Sequence, residues 1–572
     1  MRAPTTKLEP ASQMDFIETT QQQDSASGEV TGISWWAQRE STILLFAALV
    51  WVTLVVTRGI TKGEFNYITD ETLHAVTGLY FADFLHDLPL THAVQYTFRY
   101  EVQYPALGLL HWPPFFHFVE GVMFLVAGRS VVVARLTILM FALFGFYFWF
   151  KLVTELDSPW TAAASTAVLA SHPVLLVHEK IVMLEIPALA LSIAAIWFWF
   201  QYLKRGRGRH IWWFALLASA AVLTKYQSIY LFLFCLLTIA IQRKWRRLMN
   251  PALLGAAAVA FLLIVPYGLV AYELHGRQLV YLALQVGSAT YAGHKLPPAP
   301  NPYTYYWSKL PAQLGWPLFA LSVVGLVSCK WWAKKESALT MLMWIAACYL
   351  TMTFISAEEP RYIIYWIPPW VYFALGPLTA KSTGRMRFLR GGAACGLVLA
   401  YAGWAWSYQR PYVSGFEAAA RSVIQRGGPR VVVFDGDLPG NFVFFMRSLD
   451  PARRFFIVRK LLAVVEGSAA IVKKPTGLED LIDDYGIKSI VISENVTIGS
   501  EGQARLRGLL QTDEFRLVQR FPVETNVPEF KDHNLLLYEK VHPQAPSKHT
   551  LTLKVSQINR ELTVPLDDSV QP

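Results

Sequence analysis

Long apolar runs, broken by short polar stretches, set the pattern of this chain. The first run, Thr42–Ile60, has 19 residues and no charge before Arg58. That is close to the roughly 20 apolar residues needed to cross a bilayer. Ten more runs follow: Ser130–Val153, Thr161–Val177, Ile186–Leu203, Ile211–Leu223, Ser228–Ile241, Ala252–Tyr272, Trp316–Ser328, Ala338–Ile355, Ile363–Leu378 and Gly391–Trp406. The pattern predicts an α-helical polytopic membrane protein, with eleven transmembrane helices over residues 42–409.

Residues 1–33 are polar, rich in Gln, Thr and Ser, and without period. With the segment up to residue 41 they read as a disordered cytoplasmic tail. The first apolar run starts too deep for a cleavable leader. Pro113–Ala127 is apolar but short, begins with two prolines, and carries His117 and Glu120. A short run with an acid fits a place flat on the outer surface better than one across the bilayer. Residues 61–129 then form one long outer loop with amphipathic helices. Thr69–Leu88 is expected to be one, with an apolar face of Leu73, Val76, Leu79, Tyr80 and Phe84. A second outer loop covers 275–313, where Tyr281, Tyr291, Tyr303, Tyr305, Tyr306 and Trp307 cluster. They read either as an aromatic belt at the headgroups or as a mobile loop over a sugar or prenyl chain.

From Arg410 onward the pattern shortens. Val431–Phe434, Phe442–Met446, Phe455–Val458, Ser489–Ile492, Phe515–Val518 and Leu535–Tyr538 look like strands. Phe416–Gln425, Leu478–Tyr485 and Glu501–Leu510 look like helices. Their alternation predicts a small α/β domain over 410–541. Residues 542–572 read as a polar tail, with one strand expected at Leu551–Val555. No internal repeat favours an inverted-repeat transporter. No phosphate-loop motif and no metal-type Cys/His spacing occurs.

Composition agrees with this reading. Hydrophobic residues make up 54% and charged residues 16%, against about 45–50% and about 25% in soluble domains. A wholly soluble protein and a disordered scaffold are excluded. All four cysteines sit in or at the edge of apolar runs, which excludes a disulfide framework. The 51 Lys and Arg against 41 Asp and Glu give +10. Most of that excess lies in loops 204–210, 242–250, 330–337 and 380–390, while 275–313 holds only Arg277, Lys295 and Lys309. The positive-inside rule puts those basic loops and the N-terminus in the cytoplasm, and the C-terminal domain outside. The charge is therefore a statement of topology in the cytoplasmic (inner) membrane, with no nucleic-acid partner implied.

With that orientation, the ionisable residues at span ends gather on the outer side. They are Asp70 and Glu71; Glu179, Lys180 and Glu185; Lys225; and Glu358, Glu359 and Arg361. Carboxylates can take a proton from an acceptor hydroxyl, and Lys or Arg can hold an anionic leaving group such as a phosphate. Each also has a plainer role. Asp70 and Glu71 suit the first turn of a helix. Glu185 could cap the helix it opens; a carboxylate drawn toward the bilayer centre costs on the order of 2–3 kcal/mol. Lys225 could snorkel, Arg361 could pair with Glu358 or Glu359, and His111 and His117 could be interfacial. No spacing demands a metal, although such carboxylates can bind a divalent cation.

In order along the chain, these residues resemble the motifs of the GT-C membrane glycosyltransferases. Nearest in pattern are the protein O-mannosyltransferases and the aminoarabinose transferases that modify lipid A. Asp70-Glu71-Thr72 resembles their Asp-Glu pair, and Trp112-Pro113-Pro114 their [His/Lys]-Pro-Pro element. Arg135 resembles the Arg opening the next span. Met183-Leu184-Glu185-Ile186-Pro187 resembles the second carboxylate motif, Leu223-Thr224-Lys225 the Thr-Lys turn, and Pro360-Arg361-Tyr362 with Pro368 the late Arg-Tyr element. The order and shared side of these motifs make the set specific. Two departures stand out: Glu185 replaces the usual Asp, and Trp112 stands where His or Lys is usual.

The resemblance implies a GT-C fold and transfer of a sugar from a polyprenyl-phosphate-linked donor. The acceptor would be a glycan, lipid or protein on the outer face. It implies Asp70 as the general base, Glu71 and Glu185 as orienting carboxylates, and Lys225, Arg361 and His111 as phosphate-binding groups. A transporter or flippase of a lipid-linked substrate is the alternative, but it should carry charges near the membrane midplane, where these spans have almost none. A non-catalytic sensor with a ligand-binding outer domain is a third reading.

Overall fold

The computed structural model describes residues 39–109, 112–275, 290–291, 294–295, 302–354, 359–459, 477–495, 501–555 and 560–566. Of the residues singled out above, His111, Arg277, Tyr281 and Glu358 lie outside these, as do residues 1–38 of the expected tail. Each of the eleven apolar runs falls on helical backbone, though not always on a single helix. Five helices are long and apolar enough to cross a membrane by themselves, and two bent pairs bring the number to seven. The five are α1 (Arg39–Thr57), α5 (Val131–Leu156), α8 (Glu185–Arg205), α11 (Pro251–His275) and α16 (Gly384–Ser407).

The remaining runs are shorter or broken, for visible reasons. The run Thr161–Val177 divides into α6 (Pro159–Ala170) and α7 (Pro173–Glu179), bent by 68°. Pro173 has no N–H to continue the helix and starts a new one at its first position. Upstream of Trp316, α12 (Pro302–Leu314) meets α13 (Trp316–Val327) at 115°. The corner is Gly315 at φ 76°, a left-handed conformation that glycine adopts without steric penalty. The other runs become α9 (Gly208–Val222), α10 (Tyr230–Ile241), α14 (Lys335–Thr353) and α15 (Ile367–Thr379). At one end of the bundle the basic loops come together. Tyr202 donates to the Arg247 carbonyl at 2.6 Å, Asn250 to the Gly206 carbonyl at 3.4 Å, and Lys244 pairs with Glu336 at 3.4 Å.

The first outer loop folds into α2 (Thr69–Asp87), α3 (Ala93–Gln103) and α4 (Phe115–Ala127). Helices α2 and α4 pack closely: a side chain at Gly121 would come within 2.7 Å of Phe81 Cβ and 2.9 Å of the Ala82 nitrogen. Val76, Leu79 and Tyr80 are buried as the amphipathic pattern requires, but so are Glu71, His74 and Asp83. Each has its own cover: Glu71 accepts the Val182 N–H, His74 meets His117 of α4, and Asp83 is held by Arg447 of the C-terminal domain.

That domain contains α17 (Phe416–Arg426), α18 (Pro439–Leu449), α19 (Leu478–Asp484) and α20 (Glu501–Leu509). Its strands are β1 (Val431–Asp435), β2 (Phe456–Arg459), β3 (Ser489–Ser493), β4 (Phe515–Pro522) and β5 (Asn534–Lys540). They form a five-stranded sheet in the order β2-β1-β3-β5-β4, with β1 parallel to β2 and β3, and β5 antiparallel to β3 and β4. Both faces of β1 and β3 are buried, as parallel strands require. Val432, Phe434, Ile457 and Val491 join the core shared with the membrane helices, while Val431, Val433, Phe456 and Ile490 face a separate core.

One sequence expectation for this domain fails, and beyond it the strand expected at Leu551–Val555 is present but has a partner. Phe442–Met446 is not a strand but the middle of α18. Pro439 at the helix start is the signal that a five-residue apolar run by itself conceals. Residues 542–572 are not only a polar tail. β6 (Thr550–Val555) and β7 (Arg560–Pro565) make an antiparallel hairpin. Its Leu551, Leu553, Leu562 and Val564 enter the second core, together with Val102 of α3.

Candidate active site

Asp70 and Glu71 occupy the first turn of α2, where carboxylates are favoured by the helix dipole. Successive helix positions differ by about 100°, so the two side chains point different ways. Asp70 keeps 25% of its side chain exposed and accepts a hydrogen bond from Arg361 Nη1 at 3.1 Å. Glu71 is fully buried and turns inward. Its Oε2 accepts the Asn66 N–H at 2.6 Å and its Oε1 the Val182 N–H at 3.0 Å. Glu71 thus ties the chain after α1 to the segment before α8, and it does not line the cavity that Asp70 faces.

Glu185 opens α8, and Lys225 lies in the turn after α9. Lys225 Nζ donates to Glu185 Oε1 at 2.5 Å, with both side chains buried. Arg361 is the second residue of the 3₁₀ turn Pro360–Trp366 and also donates through Nε to Glu359 at 2.5 Å. Burial works against the Arg361 charge, but the carboxylates of Glu185, Glu359 and Asp70 hold the guanidinium above its usual range. Tyr362 lies between the two cations. Lys225 Nζ and Arg361 Cζ are each 5.5 Å from its ring centroid.

Asp70, His74, Trp112, Glu185, Lys225 and Arg361 line one cavity of about 140 Å³. Two acids and two bases therefore face a common space, each cation already paired with a carboxylate. Four residues singled out from sequence, Asp70, Glu185, Lys225 and Arg361, come together here. Arg135 and Lys180 do not. Arg135 donates to the Ile60 carbonyl at 2.7 Å and the Gly63 carbonyl at 3.2 Å, and Lys180 to the Arg58 carbonyl at 3.2 Å. Both brace the chain that follows α1.

Sequence reasoning missed His74. It lies four residues after Asp70, the spacing that stacks two side chains on one helix face. Its Nδ1 is 3.0 Å from Nε2 of His117, and its ring meets Trp112 edge-on at 4.6 Å. Burial, then the neighbouring His117, push the His74 imidazole well below its usual pKa. Burial pushes His117 down to about 3. Burial thus disfavours the charged form of both rings, and His74 gives the cavity a polar wall. Trp112 supplies the apolar wall where the resembled families carry a cation.

Beside this polar cavity lies a larger apolar one of about 450 Å³, between α9, α10 and α11. Ser228 and Ile229 line it, directly after Tyr226 and Gln227 of the polar cavity. Among the described residues, no group of three His, Cys, Asp or Glu side chains is placed to hold a metal ion.

Residues 111–269 match the family described as dolichyl-phosphate-mannose-protein mannosyltransferase. The matched stretch contains Trp112, Glu185 and Lys225; Asp70 precedes it and Arg361 follows it. No curated protein sequence matches the chain. Among solved structures, the chain is similar to ArnT from Cupriavidus metallidurans bound to undecaprenyl phosphate. The TM-score is 0.55 at 13% identity, over 88% of this chain and 99% of that one. ArnT in the apo state gives a TM-score of 0.52 at 14% identity, over 90% of this chain and 98% of that one. The arabinofuranosyltransferase AftD from Mycobacteria gives 0.52 at 11% identity, over 90% of this chain but 41% of AftD. With its apolar helices and these likenesses, the chain is an integral membrane protein with the GT-C fold of membrane glycosyltransferases.

Proposed function

We propose that this protein transfers a sugar from a polyprenyl-phosphate carrier to an acceptor hydroxyl on the outer face of the membrane, with inversion. The observation that carries this reading is the meeting of the Asp70–Arg361 and Glu185–Lys225 pairs in one cavity. In the resting site each cation is neutralised by a carboxylate. A donor phosphate entering between Arg361 and Lys225 competes for both. Arg361 moves to the phosphate and leaves Asp70 free to accept a proton. The acceptor O–H then gives its proton to Asp70, and its oxygen bonds to the anomeric carbon. The bond from that carbon to the phosphate oxygen breaks on the opposite face, and polyprenyl phosphate leaves with the electron pair. A positioned base contributes about 10²–10⁴-fold to such a step. Charge-assisted contacts to the leaving phosphate add to it. Glu185 holds Lys225 in place and orients the sugar.

The neighbouring apolar cavity supports a lipid-linked donor, since a prenyl chain needs an apolar path beside the phosphate site. The solved structure of ArnT with undecaprenyl phosphate supports the same donor class. The clustering of basic loops at one end of the bundle supports a site that faces outward, with the N-terminus inside. The acceptor is a glycan, lipid or protein of the cell envelope. The test is direct: purified protein is incubated with polyprenyl-phosphate sugars, and free polyprenyl phosphate is measured. Release that depends on both acceptor and protein is expected. Asp70→Asn retaining the wild-type rate would falsify the assignment of the base.

A further inference from the structure

Helix α2 carries Asp70 at its first turn, and its far end is gripped by the C-terminal domain. Arg447 of α18 donates through Nε to Asp83 Oδ2 at 2.6 Å and through Nη2 to Asp83 Oδ1. Arg447 is 1% exposed and Asp83 2%. Asp83 also accepts Arg129 at 2.8 Å and the Tyr100 hydroxyl at 2.9 Å. One turn further on, Arg453 makes a second two-pronged contact with Asp87, through Nη2 at 3.0 Å and through Nη1. Close to Asp70, α18 begins against α2: a side chain at Gly440 would put its Cβ 2.8 Å from Thr72 Cβ. Phe65, just before α2, meets Phe444 of α18 edge-on at 4.8 Å. One helix of the outer domain therefore runs along α2 from Thr72 to Asp83.

Two arginine forks fix both the rotation and the axial position of the helix they hold, because each planar guanidinium donates to a carboxylate in one geometry. Asp70 and Asp83 lie on the same rigid helix, about 20 Å apart along its axis. A shift at one end is carried to the other. Buried ion pairs contribute little net stability by themselves and are best explained when they specify an arrangement.

We infer that the C-terminal domain positions the catalytic helix, with Arg447 and Arg453 as positioning residues for Asp70. This rests on Asp70 being the base. Misplacing a reacting group by about 1 Å can cost about 100-fold in rate. In full-length protein, Arg447→Met and Arg453→Met are each expected to lower kcat by about 10–100-fold. KM for the donor should stay within about twofold, because the phosphate-binding cations are not on α2. Arg453→Lys should recover only part of the rate, since an ammonium cannot make the two-pronged contact. Arg453 is 30% exposed, so its variant tests the idea even where Arg447→Met fails to fold. A merely structural role would reduce the yield of folded protein and leave kcat per folded molecule at the wild-type value; that result would overturn the proposal. Asp70→Asn is assayed alongside. If it is inactive while both arginine variants keep wild-type kcat, the positioning role falls and the base stands. If Asp70→Asn is active, the base falls, and the positioning role with it.

Discussion

Arg361 donates through Nη1 to Asp70 Oδ2 at 3.1 Å, joining residues 291 positions apart. The contact is half-buried, with 29% of the arginine and 25% of the aspartate side chain exposed, so it can exchange partners. In the proposed reaction Arg361 leaves Asp70 for the donor phosphate. Arg361→Met removes that charge-assisted contact and is expected to lower kcat/KM by about 100–1,000-fold. Arg361→Lys keeps the charge but not the fork and should fall between the two. Steady-state kinetics with one donor and one acceptor check this, and an Arg361→Met enzyme of wild-type rate would remove Arg361 from the site.

The Glu185–Lys225 pair differs in kind because it is buried. Removing one partner leaves an unpaired charge out of water, at a penalty of about 3–5 kcal/mol. Lys225→Met and Glu185→Gln are therefore each expected to lower the thermal midpoint strongly. The double variant should lose less than the sum of the two. A double-mutant cycle of unfolding in detergent measures the difference, and strict additivity would show that the pair is not coupled.

His117 gives a pH-dependent prediction. Its folded pKa of about 3 lies below the ordinary histidine value, so between about pH 3 and 6.5 the unfolded chain binds a proton that the folded protein does not. Stability therefore rises with pH across that window and is lost on acidification. His74 shifts in the same direction. His117→Gln should flatten the decline below pH 6.5 by on the order of 1 kcal/mol per pH unit at most. An unchanged pH slope of the unfolding midpoint would show that His117 is not the titrating group.

The apolar cavity between α9, α10 and α11 leads to a substrate-length experiment. Ala218 lines it. Ala218→Trp fills much of the space and should raise KM for a donor with a long prenyl chain by about tenfold or more, with little effect on a short-chain donor. Equal effects on both donors would place the chain elsewhere.

The sequence made the helices and much of the cavity readable for one reason. Inside a membrane domain charges are scarce, so Asp70, Glu185, Lys225 and Arg361 stand out at the ends of apolar runs. Which member of an adjacent pair faces the cavity was not readable. Asp70 and Glu71 are chemically alike, and only the backbone groups of Asn66 and Val182, brought in by the fold, turn Glu71 away. His74 was hidden because a histidine in an apolar helix is ordinarily a core residue; its spacing from Asp70 was the available signal. The strand misread at Phe442–Met446 and the hairpin within 542–572 depended on partners distant in sequence. α2 covers the first and α3 the second. A local pattern carries no record of either.

Topology gives the last test, and it is independent of catalysis. With the N-terminus inside, the loop between α15 and α16 is cytoplasmic and the C-terminal domain lies outside. Thr383 and Thr512 are exposed positions in these two places. Cys395, the exposed native cysteine, is first replaced by alanine. In intact cells, Thr512→Cys is expected to react with an impermeant maleimide and Thr383→Cys only after lysis. The opposite pattern would turn the protein over in the membrane and put Asp70 and its cavity on the cytoplasmic side. An outer-face transferase could not act from there, whatever the kinetics of the Asp70 variants.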